Sequence, residues 1–193
     1  MPPASKRAPL RRRDAEDNRA RIIAAAREVF AASGFDVSLS AIAARSGVGR
    51  ATLYRNFPDR FALAAAIFED NLLVLEALAS EQGDRPEAFM ILLSAMVEQQ
   101  VEAHAMFPAL LAGPSTPDLE ALVRRTKRLL RKPLRAAKDA ELVRGDLGLS
   151  DVIAVLTMIS AVVMGDASLA SRRQRARRAL ELLSQGLVVR ARD

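Results

Sequence analysis

The sequence predicts an all-α protein. Ala and Leu run throughout, aromatic residues make up 4% of the 193 positions, and there is one Tyr and no Trp, a composition that favours helices over half-buried strands. Apolar residues recur at helical spacing along nearly the whole chain, and the breaks in that spacing fall at Gly and Pro. With 50% hydrophobic and 27% charged residues, the length suffices for one compact domain or two small ones.

The first helix is predicted from about Asp14 to Ser33, with Ile22, Ile23, Ala26, Val29 and Phe30 on one face and Gly34 as its stop. Residues 1–13 read as a mobile basic arm, most simply a solubilising tail. After the loop GFDV, the segment SLSAIAARSG is a helix of barely two turns, with Ser38 as N-cap, Leu39, Ile42 and Ala43 inward, and Gly47 at its end. A third short helix spans about Arg50 to Phe57, and Pro58 suits the first turn of a fourth. On that fourth helix Phe61, Ala65, Phe68, Leu72 and Leu75 keep one stripe going to about Ser80. Beyond Gly83, Arg85 to about Ala112 forms one helix or two, because Pro108 interrupts it, and GPSTP is a linker. Pro117 to about Ala140 is next, with a kink expected at Pro133. A turn at Val143 to Gly148 precedes a helix from Ser150 to about Gly165, and the last helix covers roughly Ser171 to Val189.

The net charge of +6 sits at one end. Residues 1–60 carry twelve Lys and Arg against six Asp and Glu, whereas residues 61–193 carry 17 of each. Inside the balanced part, residues 61–120 hold one base, Arg85, against ten acids, and residues 121–193 hold 16 bases against seven acids. Blocks of this kind read as separate modules with separate partners. With no Cys and only His104, the chain lacks a thiolate nucleophile, a disulfide and a multi-histidine zinc site. It also has no P-loop, GxSxG or GxGxxG, so no enzyme activity, cofactor or metal site is predicted. Asp14, Glu16 and Asp17 stand where a signal peptide needs an apolar stretch. The most apolar run, Val152 to Met164, is far short of the roughly 20 residues that span a bilayer, so a cytoplasmic protein with a buried core helix is expected.

Chemistry concentrates in the basic part. Two short helices joined by a Gly-containing turn, behind a longer helix, have the outline of a helix-turn-helix unit, whose second short helix enters the DNA major groove. With Leu53 and Phe57 inward, at about 100° per residue Ala51, Thr52 and Arg55 point outward, Arg50 lies in the first turn and Tyr54 on the flank. Arg55 is suited to bidentate pairing with guanine, and Thr52 and Ala51 to thymine methyls, which with Arg50 make the base-contact set. Ser38, Tyr54 and Arg60 are of the types that hold phosphate, and Tyr54 has the alternative of packing between helices.

The stretch Gly34 to Leu63, GFDVSLSAIAARSGVGRATLYRNFPDRFAL, resembles the DNA-binding domain of the TetR family of transcriptional regulators. The matching pieces are the Ser38 cap, Ile42-Ala43, Gly47-Val48, Thr52-Leu53-Tyr54, Phe57-Pro58 and the base at Arg60. Three positions depart from the pattern: Gly49 where Ser or Thr often caps the recognition helix, Ser46 where Ala is usual, and Arg60 where Lys is commoner. The resemblance implies a helix-turn-helix domain over 14–60 and a larger helical effector-binding and dimerisation domain over 61–193. It further implies a homodimer on a palindromic double-stranded operator, and a repressor released by a small-molecule effector not yet identified.

For the dimer, the resemblance implies a four-helix interface from the last two helices of each subunit. The apolar residues of the Ser150 helix surround it on nearly all sides, more than one core needs. The interface set is Val152, Val155, Leu156, Ile159 and Val163, with Ala176, Ala179, Leu180, Leu183 and Leu187 as a stripe on the last helix. For the effector pocket, Phe89, Leu93 and Met96 share a face in whose middle Gln100 and His104 fall. Either a neighbouring helix satisfies these polar groups or they line a cavity with Met96, Met106 and Phe107. Thr126 poses the same question. A rival reading is a membrane-surface or partner-binding helical module using Arg172, Arg173, Arg175, Arg177 and Arg178. Those arginines spread around their helix, which suits a solvated dimer edge better than a lipid face.

Overall fold

The computed structural model describes residues 7–106, 117–164 and 168–187, with side chains described for 13–106, 120–164 and 168–185. The described residues form eight helices: α1 (Arg7–Ser33), α2 (Leu39–Ser46), α3 (Arg50–Asn56), α4 (Arg60–Gln82), α5 (Ala88–Glu102), α6 (Pro117–Asp139), α7 (Leu149–Val162) and α8 (Leu169–Leu187). Among the described residues no helix is long and apolar enough to cross a membrane. The predicted break at Pro108 and the GPSTP linker lie largely outside the described residues. The chain divides into two compact units, 1–67 and 68–193, and the division falls inside α4.

In the first unit, α1 starts at Arg7, seven residues earlier than the apolar spacing predicts. The segment has no apolar stripe to reveal it, but Ala, Leu and Arg are strong helix formers, and Pro9 falls in the first turn, where no backbone amide has an intrahelical partner. Ile22, Ala26 and Phe30 of α1, Ile42 and Ala43 of α2 and Leu53 and Phe57 around α3 are buried, with Leu63, Ala64 and Ile67 of α4. On α4 the first part of the buried stripe is thus Leu63, Ala64 and Ile67, whereas Phe61, Ala65 and Phe68 are half-buried. Residues 61–68 are apolar nearly all round, so spacing alone left the inward side open. Phe61 packs on Phe35, with ring centroids 5.4 Å apart, and Phe35 packs on Phe30 at 5.2 Å.

The second unit is built around α5, which packs against α6, α7 and α8. Phe89, Leu92, Leu93 and Val101 are fully buried, joined by Leu130 and Leu134 of α6 and Val152, Leu156 and Ile159 of α7. Pro133 is accommodated within α6. The acidic and basic blocks are partners of each other here. Arg125 forks onto Glu76 with two bonds of 2.6 Å, Lys132 meets Asp84 at 2.5 Å, and Arg173 pairs with Glu98 and, at 3.4 Å, with Glu102. The expectation of separate modules is corrected for these residues: oppositely charged blocks of similar length sit on neighbouring helices of one unit. Hydrogen bonding from Arg125 holds the Glu76 carboxyl below the usual carboxylate range, against the opposing effect of desolvation.

Candidate nucleic-acid interface and internal cavity

The turn between α2 and α3 is built by local rules. Ser38 has extended backbone and its hydroxyl accepts from the Ala41 amide at 3.4 Å, capping α2. Gly47 ends the helix at φ +65°, a left-handed conformation that other residues adopt at a cost, and a Cβ there would come within 2.8 Å of Arg21 Nη2. The Arg21 guanidinium is fixed by donating to the Ser46 carbonyl at 2.8 Å, so α1 clasps the turn from behind. Gly49 caps α3 through extended backbone alone, with no side-chain bond.

On α3, Leu53 is fully buried and Phe57 nearly so, while Arg50, Ala51, Tyr54 and Arg55 are exposed and Thr52 is half-buried. Of the expected base-contact set, Arg50, Ala51 and Arg55 are thus solvent-exposed and Thr52 partly so. Arg55 Nη2 donates to Thr52 Oγ1 at 3.0 Å, which holds the guanidinium beside it. Asn56, which the sequence reading passed over, is exposed beside Arg55, and its amide donates to the Thr52 carbonyl at 2.8 Å. Tyr54 is 49% exposed, so it is not packed away between helices. Arg60 is already engaged: Nη1 lies 2.6 Å from Asp36 Oδ1 and 3.4 Å from the Phe35 carbonyl, and the guanidinium sits 5.8 Å from the Phe35 ring. The sequence places Arg60 among the phosphate-holding types, and here Asp36, 24 positions away, is folded against it.

The second unit holds a cavity of about 160 Å³. Phe68, Asn71, Leu72 and Leu75 of α4 form one wall and Met96, Gln99 and Gln100 of α5 a second. Leu122, Val123 and Thr126 of α6 and Ile153, Leu156 and Thr157 of α7 line the remaining sides, with Val123 and Thr157 exposed at its rim, so it is partly open. Of the predicted pocket residues, Met96, Gln100 and Thr126 come together here. Phe89 and Leu93 lie fully in the core instead, because that end of their shared face is covered by neighbouring helices. His104 and Met106 follow the end of α5 and do not line the cavity, and Phe107 lies outside the described residues. Burial, and secondarily the Arg172 cation, lower the pKa of His104. Asn71, Gln99 and Thr157 were missed, although a Gln and an Asn within apolar helical stretches are the kind of signal that pointed to Gln100.

The predicted interface set fares differently. Val152, Val155, Leu156, Ile159, Val163 and Ala176 are buried within the single chain, and Ala179, Leu180 and Leu183 are half-buried against its core. Leu187 has no described side chain. The apolar face left exposed comprises Ala154, Met158, Ala161 and Val162 on α7, with Leu182 on α8. A helix that is apolar all round does not reveal by spacing which side meets its own core.

Fold and surface together define a helix-turn-helix protein with a second, cavity-bearing helical unit. The description "Bacterial regulatory proteins, tetR family" matches residues 22–67, and "Transcriptional regulator SbtR-like, C-terminal domain" matches 84–189, more than half the chain. The chain belongs to the TetR family of bacterial transcriptional regulators. Among solved structures it is similar to a TetR transcriptional regulator from Streptomyces coelicolor, with 28% identity, TM-score 0.64, and 90% of this chain and 99% of that one covered. A TetR regulatory protein from Mycobacterium vanbaalenii shows 29% identity and TM-score 0.60, covering 92% and 99%. A gamma-butyrolactone receptor, described as ArpA-like, shows 26% identity and TM-score 0.60, covering 91% and 90%. No curated protein matches the chain.

Proposed function

We propose that the chain is a dimeric, non-enzymatic repressor, acting in the cytoplasm, that leaves its palindromic operator when a small molecule fills the cavity. The observation that carries this is the exposed side of α3, where Arg50, Ala51, Thr52 and Arg55 offer a charged fork, a hydroxyl and a methyl on a helix anchored by Leu53. The cavity supports the effector role, as does the similarity to a receptor named for gamma-butyrolactone. Helix α4 supplies the link: it starts at Arg60, and its later residues Phe68, Asn71, Leu72 and Leu75 line the cavity. A ligand that shifts this stretch changes the spacing of two recognition helices that fit DNA at one separation. By linkage, operator DNA then weakens effector binding by the same factor. Selection of bound sequences from a random DNA pool tests the reading. A palindrome supports it, and recovery of no preferred sequence overturns it.

Two substitutions separate the kinds of contact. Arg55→Ala is expected to relax preference at symmetric positions of both half-sites, by about 1–3 kcal/mol for a bidentate guanine contact. Competition binding against operators altered at single base pairs reads this, and an equal loss on random DNA removes Arg55 from the base-reading set. Arg60→Ala is expected to weaken all sequences alike and to flatten the slope of log affinity against log salt by about 0.9. An unchanged slope assigns Arg60 to Asp36 and Phe35 alone.

A further inference from the structure

Between Val37 and Arg60 the chain carries one acid, Asp59, and its carboxylate is occupied at the start of α4, where Oδ1 accepts from the Ala62 amide at 2.8 Å. Glu28 of α1 is likewise engaged, accepting from Arg45 Nε at 2.7 Å. Asp36 is placed differently. Its side chain is fully exposed, yet Oδ1 lies 2.6 Å from Nη1 of Arg60, the cation read above as a phosphate contact.

The packing around the pair fixes both partners. Phe35, 7% exposed, packs on Phe30 and on Phe61, which anchors the backbone that carries Asp36. Arg60 is held by the same residue: the Phe35 carbonyl accepts from Nη1 at 3.4 Å, and the guanidinium lies 5.8 Å from the ring centroid. The cation is thus seated against Phe35, whereas the carboxylate can turn into water without loss of packing.

A carboxylate and a phosphodiester present a guanidinium with the same kind of anionic oxygen pair. A DNA backbone that approaches Arg60 therefore meets a cation already neutralised by Asp36. If Asp36 stays, the phosphate faces a like charge; if it leaves, the ion pair is lost, and either course subtracts from binding.

We propose that Asp36 is an internal competitor of the DNA backbone: it occupies Arg60 before DNA binds and yields the guanidinium to a phosphate on binding. The inference rests on the reading of Arg60 as a phosphate contact. Phosphate contacts carry no direct sequence information, so the exchange lowers affinity for operator and random duplex alike and leaves base preference untouched.

Fluorescence anisotropy on the full-length protein, with the selected operator and with a random-sequence duplex, tests it. Asp36→Asn is expected to tighten both complexes about three- to five-fold at low salt, the range of an exposed ion pair, and the gain shrinks as salt screens it. Asp36→Glu keeps the charge and is expected to stay within about two-fold of wild type. Asp36→Asn combined with Arg60→Ala is expected to bind no more tightly than Arg60→Ala alone, because the gain passes through the guanidinium. Thermal unfolding checks that each variant is folded. Weaker binding by folded Asp36→Asn overturns the inference and makes Asp36 a positioning residue for Arg60. A gain that persists in the Arg60→Ala background also overturns it, since Asp36 then repels DNA directly. Unchanged affinity in Asp36→Asn overturns this inference alone, whereas wild-type protein that binds neither duplex overturns the reading beneath it as well.

Discussion

Leu53→Ala is expected to abolish operator binding, the largest effect of any single truncation in the helix-turn-helix. Helix α3 has seven residues, well below the length at which an isolated helix persists in water, so tertiary packing holds it. That packing is narrow. Leu53, fully buried, is the helix's one buried residue, and Phe57, at 3% exposure, closes its C-terminal end. Its N-cap, Gly49, adds no side-chain hydrogen bond. Removing the Leu53 side chain deletes buried apolar contact and leaves a cavity, at about 2–5 kcal/mol. The loss falls on the element that carries Arg50, Thr52 and Arg55, so the reading surface loosens before the rest of the unit does. Thermal unfolding with anisotropy on operator DNA checks this. Retention of wild-type affinity by Leu53→Ala would show that α3 is held by something other than this side chain.

The helix-turn-helix was legible because each of its parts follows a local rule. The Ser38 cap, the left-handed Gly47 and the inward pair Leu53 and Phe57 are fixed within a few residues of chain, and the structure places each as the spacing does. Arg60 was legible as a cation but not as the partner of Asp36, since the loop that brings them together leaves no periodic signal. Gln100 stood out because a polar residue in the middle of an apolar face demands a partner. Its neighbours on the cavity wall, Asn71 and Thr157, come from other helices, whose relative rotation no single-helix pattern contains. The charge blocks misled for the same reason: composition records that Glu76 and Arg125 are far apart in sequence, and only packing makes them a pair.

The same ambiguity on α7 gives the second large expected effect. In one chain Val152, Val155, Leu156 and Ile159 face the core, and what remains outward is Ala154, Met158, Ala161 and Val162, at the spacing of a single helical face. Met158 is 49% exposed and Val162 38%, and on α8 Leu182 is 52% exposed, so among the described residues these apolar side chains lack full cover. If two copies meet on this face, a two-fold axis sets each substitution against the interface twice. Met158→Asp then buries two carboxylates without partners, and the dimer is expected to dissociate at concentrations where the wild type is paired. Binding to a two-half-site operator loses the effective concentration that tethers the second recognition helix, a fall of about 10²–10⁴ in affinity. Affinity for an isolated half-site stays unchanged, because α3 belongs to the other unit. Val155→Ala is the contrasting variant: its side chain is 5% exposed within one chain, so it lowers thermal stability while leaving the dimer intact. Sedimentation velocity on both variants, with anisotropy on full and half operators, distinguishes the outcomes. A Met158→Asp protein that remains dimeric places the contact elsewhere, and dissociation of Val155→Ala instead would return the interface to the buried side of α7.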